Sequence, residues 1–212
     1  FAAGRLAAEE AVSALERQKG AKEGNLVEVM IRQSTALGVD RHEGTVEGIE
    51  QYDNVNIVGE IVTENTRQDT SEKVVSFLQN NPDVDGFVGH ALTVGSGIVN
   101  ALDRQDQLVP KGEDGHKIIS FIDAGPSNLS DIRDGFVDVA IDQPVHFYGP
   151  ITLHYIKEYL GSGEDDSVLP DTGSTVEGGA ISFNAEVAQD EVGANVWAED
   201  TWAPAEVQDA PP

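Results

Sequence analysis

The chain has 212 residues, 39% of them apolar, enough for one or two packed units. Its formal charge of −25, from 38 acidic against 13 basic residues, excludes nucleic acid and anionic lipid as partners, since both require positive charge. The acidic residues are spread over the whole length and read as a solvated, high-salt surface, while the absence of cysteine removes disulfides, thiolate catalysis and Cys-ligated zinc. The first residue, Phe1, falls inside a helical pattern that continues through GRLAAEEAVSALERQ (Gly4–Gln18), so a further portion is expected upstream. Asn25–Ile31 (NLVEVMI) is apolar and β-branched enough for a strand. Gln33–Asp40, with Ser, Thr and Gly, reads as a loop, and Arg41–Tyr52 returns to helical spacing.

The alternation then repeats. Strand Val55–Val62 precedes helix Gln68–Asn80, whose start is marked by Asp69-Thr-Ser-Glu and whose end is marked by Asn81-Pro82-Asp83. Strand Val84–Gly89, helix Thr93–Arg104, strand Lys117–Ile122, a short helix Asn128–Arg133, strand Phe136–Ile141 and helix Val145–Leu160 follow. This β-then-α rhythm predicts an α/β fold: a doubly wound, mostly parallel sheet with helices on both faces. From Gly161 the rhythm fails. GSGEDDSVLPDTGSTVEGG is polar and Gly-rich, Gly179–Phe183 reads as one more strand, and the segment from Ala185 is an extended acidic tail with few apolar anchors. No stretch approaches the roughly 20 apolar residues of a membrane span.

In such a sheet, ligands bind beyond the carboxyl ends of the strands. Those ends carry Gln33, Ser34 and Thr35, with Arg41, His42 and Thr45 at the following helix; then Glu64, Asn65 and Thr66; then His90, Asp123, and Asp142 with Gln143. Carboxylates accept hydroxyl hydrogens, and Asn and Gln both donate and accept, so the set suits a sugar or polyol. Phosphate fits less well: GxxxxGK[ST] is absent and VGSGIVN (Val94–Asn100) lacks the GxGxxG spacing. Each residue has a plainer role open to it. Asp123 could cap a helix or hold a turn, Gln143 could sit beside an N-cap, His90 could be a hydrogen-bonded turn residue and Arg41 a surface residue at a helix start. GxSxG, HExxH and EF-hand patterns are absent, and histidines 42, 90, 116, 146 and 154 have no metal-ligand spacing, so neither enzyme activity nor a cofactor or metal is expected.

The segments GRLAAEEAVSALER, NLVEVM, RHEGTVEGIEQY, TENTRQDTSEKVVSFLQNNPDVDGFVGH, IISFIDAG and IRDGFVDVAIDQPVHFYGP, in that order and spacing, resemble the carboxyl-terminal lobe of type I periplasmic sugar-binding proteins, the ribose-binding-like receptors of ABC transporters. The resemblance runs from Phe1 to about Leu160, with a weaker echo in LPDTGSTVEGGAISFN. It implies a two-lobed receptor that closes around a small ligand, an ABC transporter permease as partner, and an extracytoplasmic, lipid-anchored location. By this resemblance residues 1–143 form the ligand-binding lobe, 144–184 return to a missing amino-terminal lobe and hinge, and 185–212 form the acidic tail. It also implies site residues. Asp123 and Gln143 fall on the family's ligand-binding aspartate and glutamine; Asn65 replaces an aromatic that stacks on the sugar, Thr45 stands where an arginine is usual, and Ala91, beside His90, takes the place of an asparagine. These departures point away from ribose toward another sugar, a polyol or a furanose derivative. The same fold serves as the sugar-responsive effector domain of LacI-type transcription regulators, which is the alternative reading. A flavodoxin-like enzyme is a third and needs an aromatic-flanked phosphate loop.

Overall fold

The computed structural model describes residues 1–143, 148–169 and 181–184. Among these, helix α1 (Ala2–Lys19) leads into β1 (Gly24–Met30), α2 (Ala36–Glu50), β2 (Val55–Val62), α3 (Arg67–Leu78), β3 (Gly86–Gly89), α4 (Leu92–Asp103), β4 (Ile118–Ile122), α5 (Pro126–Arg133) and β5 (Val139–Asp142). Helix α6 (Tyr148–Gly161), a single 3-10 turn at Asp166–Val168 and β6 (Ile181–Asn184) complete the described elements. The strands form one sheet in the order β2-β1-β3-β4-β5-β6. The first five are parallel, and β6 pairs antiparallel with β5, with Asp142 opposite Ile181 and Val139 opposite Asn184. The expected doubly wound α/β sheet is therefore present.

Several boundaries differ from the sequence reading for local reasons. Helix α2 begins inside the expected loop because Thr35 caps it, its hydroxyl accepting the Gly38 N–H at 3.1 Å. Helix α3 is capped by Thr66 and not at Asp69, whose carboxylate instead reaches back to the Glu64 N–H at 2.8 Å. Strand β5 starts at Val139, since the Phe136 and Val137 N–H groups turn to the Asp131 carbonyl at 2.9 and 3.2 Å and close α5. Residues 144–147, where the last helix was expected to begin, and the tail from Ala185 lie outside the described residues.

Alternation along the strands splits the core in two. Leu26, Val88, Ile118, Ile122, Val139 and Ile141 face α1 and α2, while Val27, Val29, Phe87, Ile119, Phe121 and Ala140 face α3, α4 and α5. Helix α1 is locked onto β4 by the Ser120 hydroxyl, which donates to the Ala7 carbonyl at 2.8 Å. Against α1 lies α2, and the two approach so closely that glycine is required at the crossing. A Cβ on Gly48 would stand 2.7 Å from both the Ala8 Cβ and the Arg5 carbonyl oxygen, and a Cβ on Gly4 would overlap the Arg41 carbonyl. This crossing sets where α2 places Arg41, His42 and Thr45.

Replacing Gly48 tests the crossing. On an exposed helix surface Gly→Ala gains about 1 kcal/mol, but here the added methyl meets backbone that cannot yield. Overpacking of this kind costs about 1–3 kcal/mol, so Gly48→Ala is expected to lower the urea midpoint despite its better helix propensity.

Candidate functional site

The order of the sheet reverses between β1 and β3: the chain moves outward to β2, then crosses back over β1 to β3. At such a switch point the loops diverge and leave a crevice at the carboxyl ends of the strands. Here it is lined by the β1–α2 connection and α2, by the β3–α4 junction, by Asp123 after β4, by Asp142 at the end of β5 and by Gln143 after it.

Asp123 is central. Its backbone lies in the left-handed region at φ 72°, a conformation that Asp tolerates better than most residues, and its N–H donates to the Ile141 carbonyl at 2.7 Å. One carboxylate oxygen accepts from Arg41 Nη1 at 3.3 Å and the other from Gln143 Nε2. About a third of the Asp123 side chain, 34%, reaches solvent, whereas the Arg41 side chain is 5% exposed. The same Arg41 Nη1 donates to the His90 carbonyl at the end of β3. One guanidinium thus spans from α2 across β3 to β4.

Asp142 is the last residue of β5. Burial pushes its carboxyl up to about 6; the Gln143 N–H opposes the rise and the Asp123 carboxylate adds to it. Asp142 therefore passes from carboxylate to neutral acid as pH falls through about 6, beside the Asp123–Arg41 pair.

The other expected residues divide. Asn65, also left-handed at φ 56°, holds the rim: its Oδ1 accepts from the Thr93 hydroxyl at the start of α4, which ties the β2–α3 loop to the β3–α4 junction. Ala91 is the N-cap of α4 and is buried, so it offers backbone only. Thr45 and His90 do not face the crevice. Both are fully buried, Thr45 donating to the Arg41 carbonyl at 2.9 Å and His90 Nε2 lying 2.8 Å from Glu28 Oε1. Burial holds the His90 ring below the ordinary histidine range, Glu28 pulls the other way, and Arg41 and His42 add to the fall. For Thr45 the reason is its position along α2: it lies on the same face as Arg41 but one turn further on, and the turn that meets Asp123 is the earlier one.

Glu28 escaped notice because it sits inside the apolar run NLVEVM. It is fully buried in mid-strand, with Oε2 at 2.9 Å from His42 Nδ1 and Oε1 on His90. A charged residue at an inward position of a buried strand demands partners, and that demand is the signal a sequence offers. A separate cavity of about 360 Å³ lies at the opposite ends of the strands, lined by Arg17, Lys111, His116 and Asp138. Its His116–Asp138 pair, 3.1 Å apart, is structural, since the same Asp138 oxygen accepts the Ile119 N–H at 2.9 Å and ties β5 to β4.

With this geometry in place, the comparisons are decisive. The model of a periplasmic binding protein domain matches residues 1–165. The chain belongs to the periplasmic binding protein family. Solved structures similar to it include a carbohydrate transporter solute-binding protein from Agrobacterium radiobacter in complex with D-arabinose, at 16% identity and TM-score 0.73, covering 91% of this chain and 61% of that one. An ABC transporter periplasmic solute-binding protein from Actinobacillus succinogenes with bound D-allose is similar at 17% identity and TM-score 0.74, covering 90% and 61%. A periplasmic ribose ABC transporter protein from Conexibacter woesei is similar at 18% and 0.73, covering 92% and 60%. A comparison with curated proteins finds no match. The chain thus spans about three fifths of these structures, at 61% of the first. The family is one of binding proteins and implies an extracytoplasmic location, and no helix among the described residues is long and apolar enough to cross a membrane.

The raised Asp142 carboxyl has a definite sign. The fold favours the protonated acid, so the stabilisation is complete below the ordinary aspartate range and is lost as pH rises through about 6. Asp142→Asn, which has no proton to lose, is expected to match wild type at pH 4 and to exceed it in stability above pH 6. Urea melts across that range check this.

Proposed function

We propose that this chain is the carboxyl-terminal part of the sugar-binding receptor of a carbohydrate ABC importer, and that its ligand is a sugar or polyol held between two lobes. The observation that carries the reading is the Asp123 carboxylate, about a third exposed at the crevice and fixed between Arg41 and Gln143. Carboxylate, guanidinium and primary amide together can accept from and donate to vicinal hydroxyls, which is what a ring bearing several OH groups needs. The D-arabinose and D-allose bound in two similar structures agree with it. Residues 144–184 are assigned to the hinge and to the second lobe, with β6, which pairs with β5 of this sheet, as a hinge strand. In favour of this, α6 leaves Leu153, Ile156 and Leu160 exposed at 61%, 46% and 62%, an i, i+3, i+7 stripe that asks for a covering surface. Ligand contacts to both lobes would favour the closed state, and a permease would read that state. The dispersed acidic excess fits a high-salt setting.

Two measurements test the assignment. Calorimetric titration of the 212-residue chain with D-arabinose, D-allose and D-ribose is expected to give millimolar or weaker affinity, while the product of the gene with its upstream coding sequence binds at least one of them far more tightly. In that longer protein, Asp123→Ala removes a charged hydrogen-bond partner worth about 1.5–3 kcal/mol, a loss of roughly 10–150-fold in affinity. Submicromolar binding by the 212-residue chain alone overturns the two-lobe reading. Hydrogen exchange addresses α6 separately: its amides are expected to slow at least tenfold in the longer protein, and equal rates in both would remove α6 from the interface.

A further inference from the structure

We infer that Glu28, a buried carboxylate with no access to the crevice, is the positioning residue that sets the Arg41–Asp123 pair for ligand. The inference rests on the crevice being the ligand site. Both Glu28 oxygens are used, Oε1 by His90 Nε2 at 2.8 Å and Oε2 by His42 Nδ1 at 2.9 Å. Each of these histidines is tied directly to Arg41. His42 is its neighbour on α2, and the His90 carbonyl accepts from Arg41 Nη1. The bridge from β1 to α2 and to the end of β3 therefore fixes both the base of the arginine and the acceptor that aims it. Asp123 then receives the same Nη1 at 3.3 Å.

A fold that needed only stability would not choose this arrangement. Burying a carboxylate costs several kcal/mol, and a well-packed apolar replacement of a buried ionic group is often neutral or stabilising. The charged groups that face the cluster are few: Glu28 from β1, Arg41 and His42 from α2, and Asp123 beyond Arg41, with Thr45 adding a hydroxyl 3.5 Å from His90 Nε2. His90 is neutral in this setting, its ring held below the usual histidine range by burial. Nε2 then carries the proton toward Glu28, and Nδ1, which has no partner among the described residues, is bare. His42, with 30% of its side chain exposed, connects the cluster to solvent. Acid that protonates His90 sets a second cation beside Arg41, which weakens the seat of the guanidinium.

The test uses nitrogen-15 NMR of the 212-residue chain, reading the His90 ring nitrogens and the water exchange of the Arg41 guanidinium, referenced to Arg104. Arg104 is held elsewhere, on Ser71 Oγ at 3.3 Å. In wild type, His90 is expected as the Nε2–H tautomer, and Arg41 exchange is expected to accelerate in the same acid transition that protonates His90. In Glu28→Gln, which keeps volume and loses charge, Arg41 exchange at neutral pH is expected to rise at least tenfold while Arg104 is unchanged. A folded Glu28→Gln protein with Arg41 as slow as wild type overturns the inference. If the variant does not fold, wild type decides alone: Arg41 exchange that stays constant through the histidine transition overturns it equally. Titration of the longer protein with D-arabinose, D-allose and D-ribose separates this from the ligand assignment. Failure of all three to bind counts against a sugar cleft, and the Arg41 response still decides what Glu28 does.

Discussion

Arg41 reaches from α2 across the end of β3 to the carboxylate of Asp123, and every other feature of the crevice is arranged around that span. For the span to exist, α2 must lie close against α1 and at the correct height over the sheet. The glycine crossing at Gly4, Gly44 and Gly48 provides the closeness, and the Thr35 cap fixes where the helix begins. A bulkier crossing would lift α2 from the sheet and withdraw the guanidinium from both acceptors. Packing far from the crevice thus determines its chemistry, because the interior transmits a displacement instead of absorbing it.

The electrostatics follow from the same geometry. Arg41 is almost entirely buried, so its charge requires compensation, and the Asp123 carboxylate with the His90 carbonyl supplies it. Asp142 adds a second acid beside Asp123, and burial keeps its carboxyl near pH 6, so the site resists becoming doubly negative. A ligand presenting only hydroxyls fits this balance, since it shares the existing charges and adds none.

Much of the fold could be read in advance because the apolar runs of the strands and the helical stripes alternate without ambiguity. The β2 boundaries, Val55 and Val62, follow directly from the run and its flanking polar residues. Where the reading failed, a tertiary contact had overruled a local signal. The Ser, Thr and Gly of 34–38 suggest a loop, yet Thr35 caps a helix whose glycines serve the α1 crossing. Asp123 and Gln143 could be paired from their positions at strand ends, and the structure joins them by a hydrogen bond. Glu28 left a signal in its charge within an apolar run, but the places of Thr45 and His90 were beyond reach. They depend on how far along α2 the meeting with Asp123 falls and on which strands are neighbours, and sequence order conceals that β1 lies beside β3.

The polar groups of the crevice are hydrogen-bonded to one another within the protein. Both Asp123 oxygens are engaged by the protein, one with Arg41 and one with Gln143, and the Asn65 amide oxygen is engaged by Thr93. A hydroxyl arriving at Asp123 must share or replace a bond that exists, so each contact returns only the difference between two hydrogen bonds. Such a surface binds weakly on its own account, and its value is orientation: the groups stand in place and lose little entropy on binding. Affinity must then come from enclosure, which excludes water and adds contacts from an opposing surface. On the two-lobed reading proposed above, closure and not first contact would supply most of the binding energy.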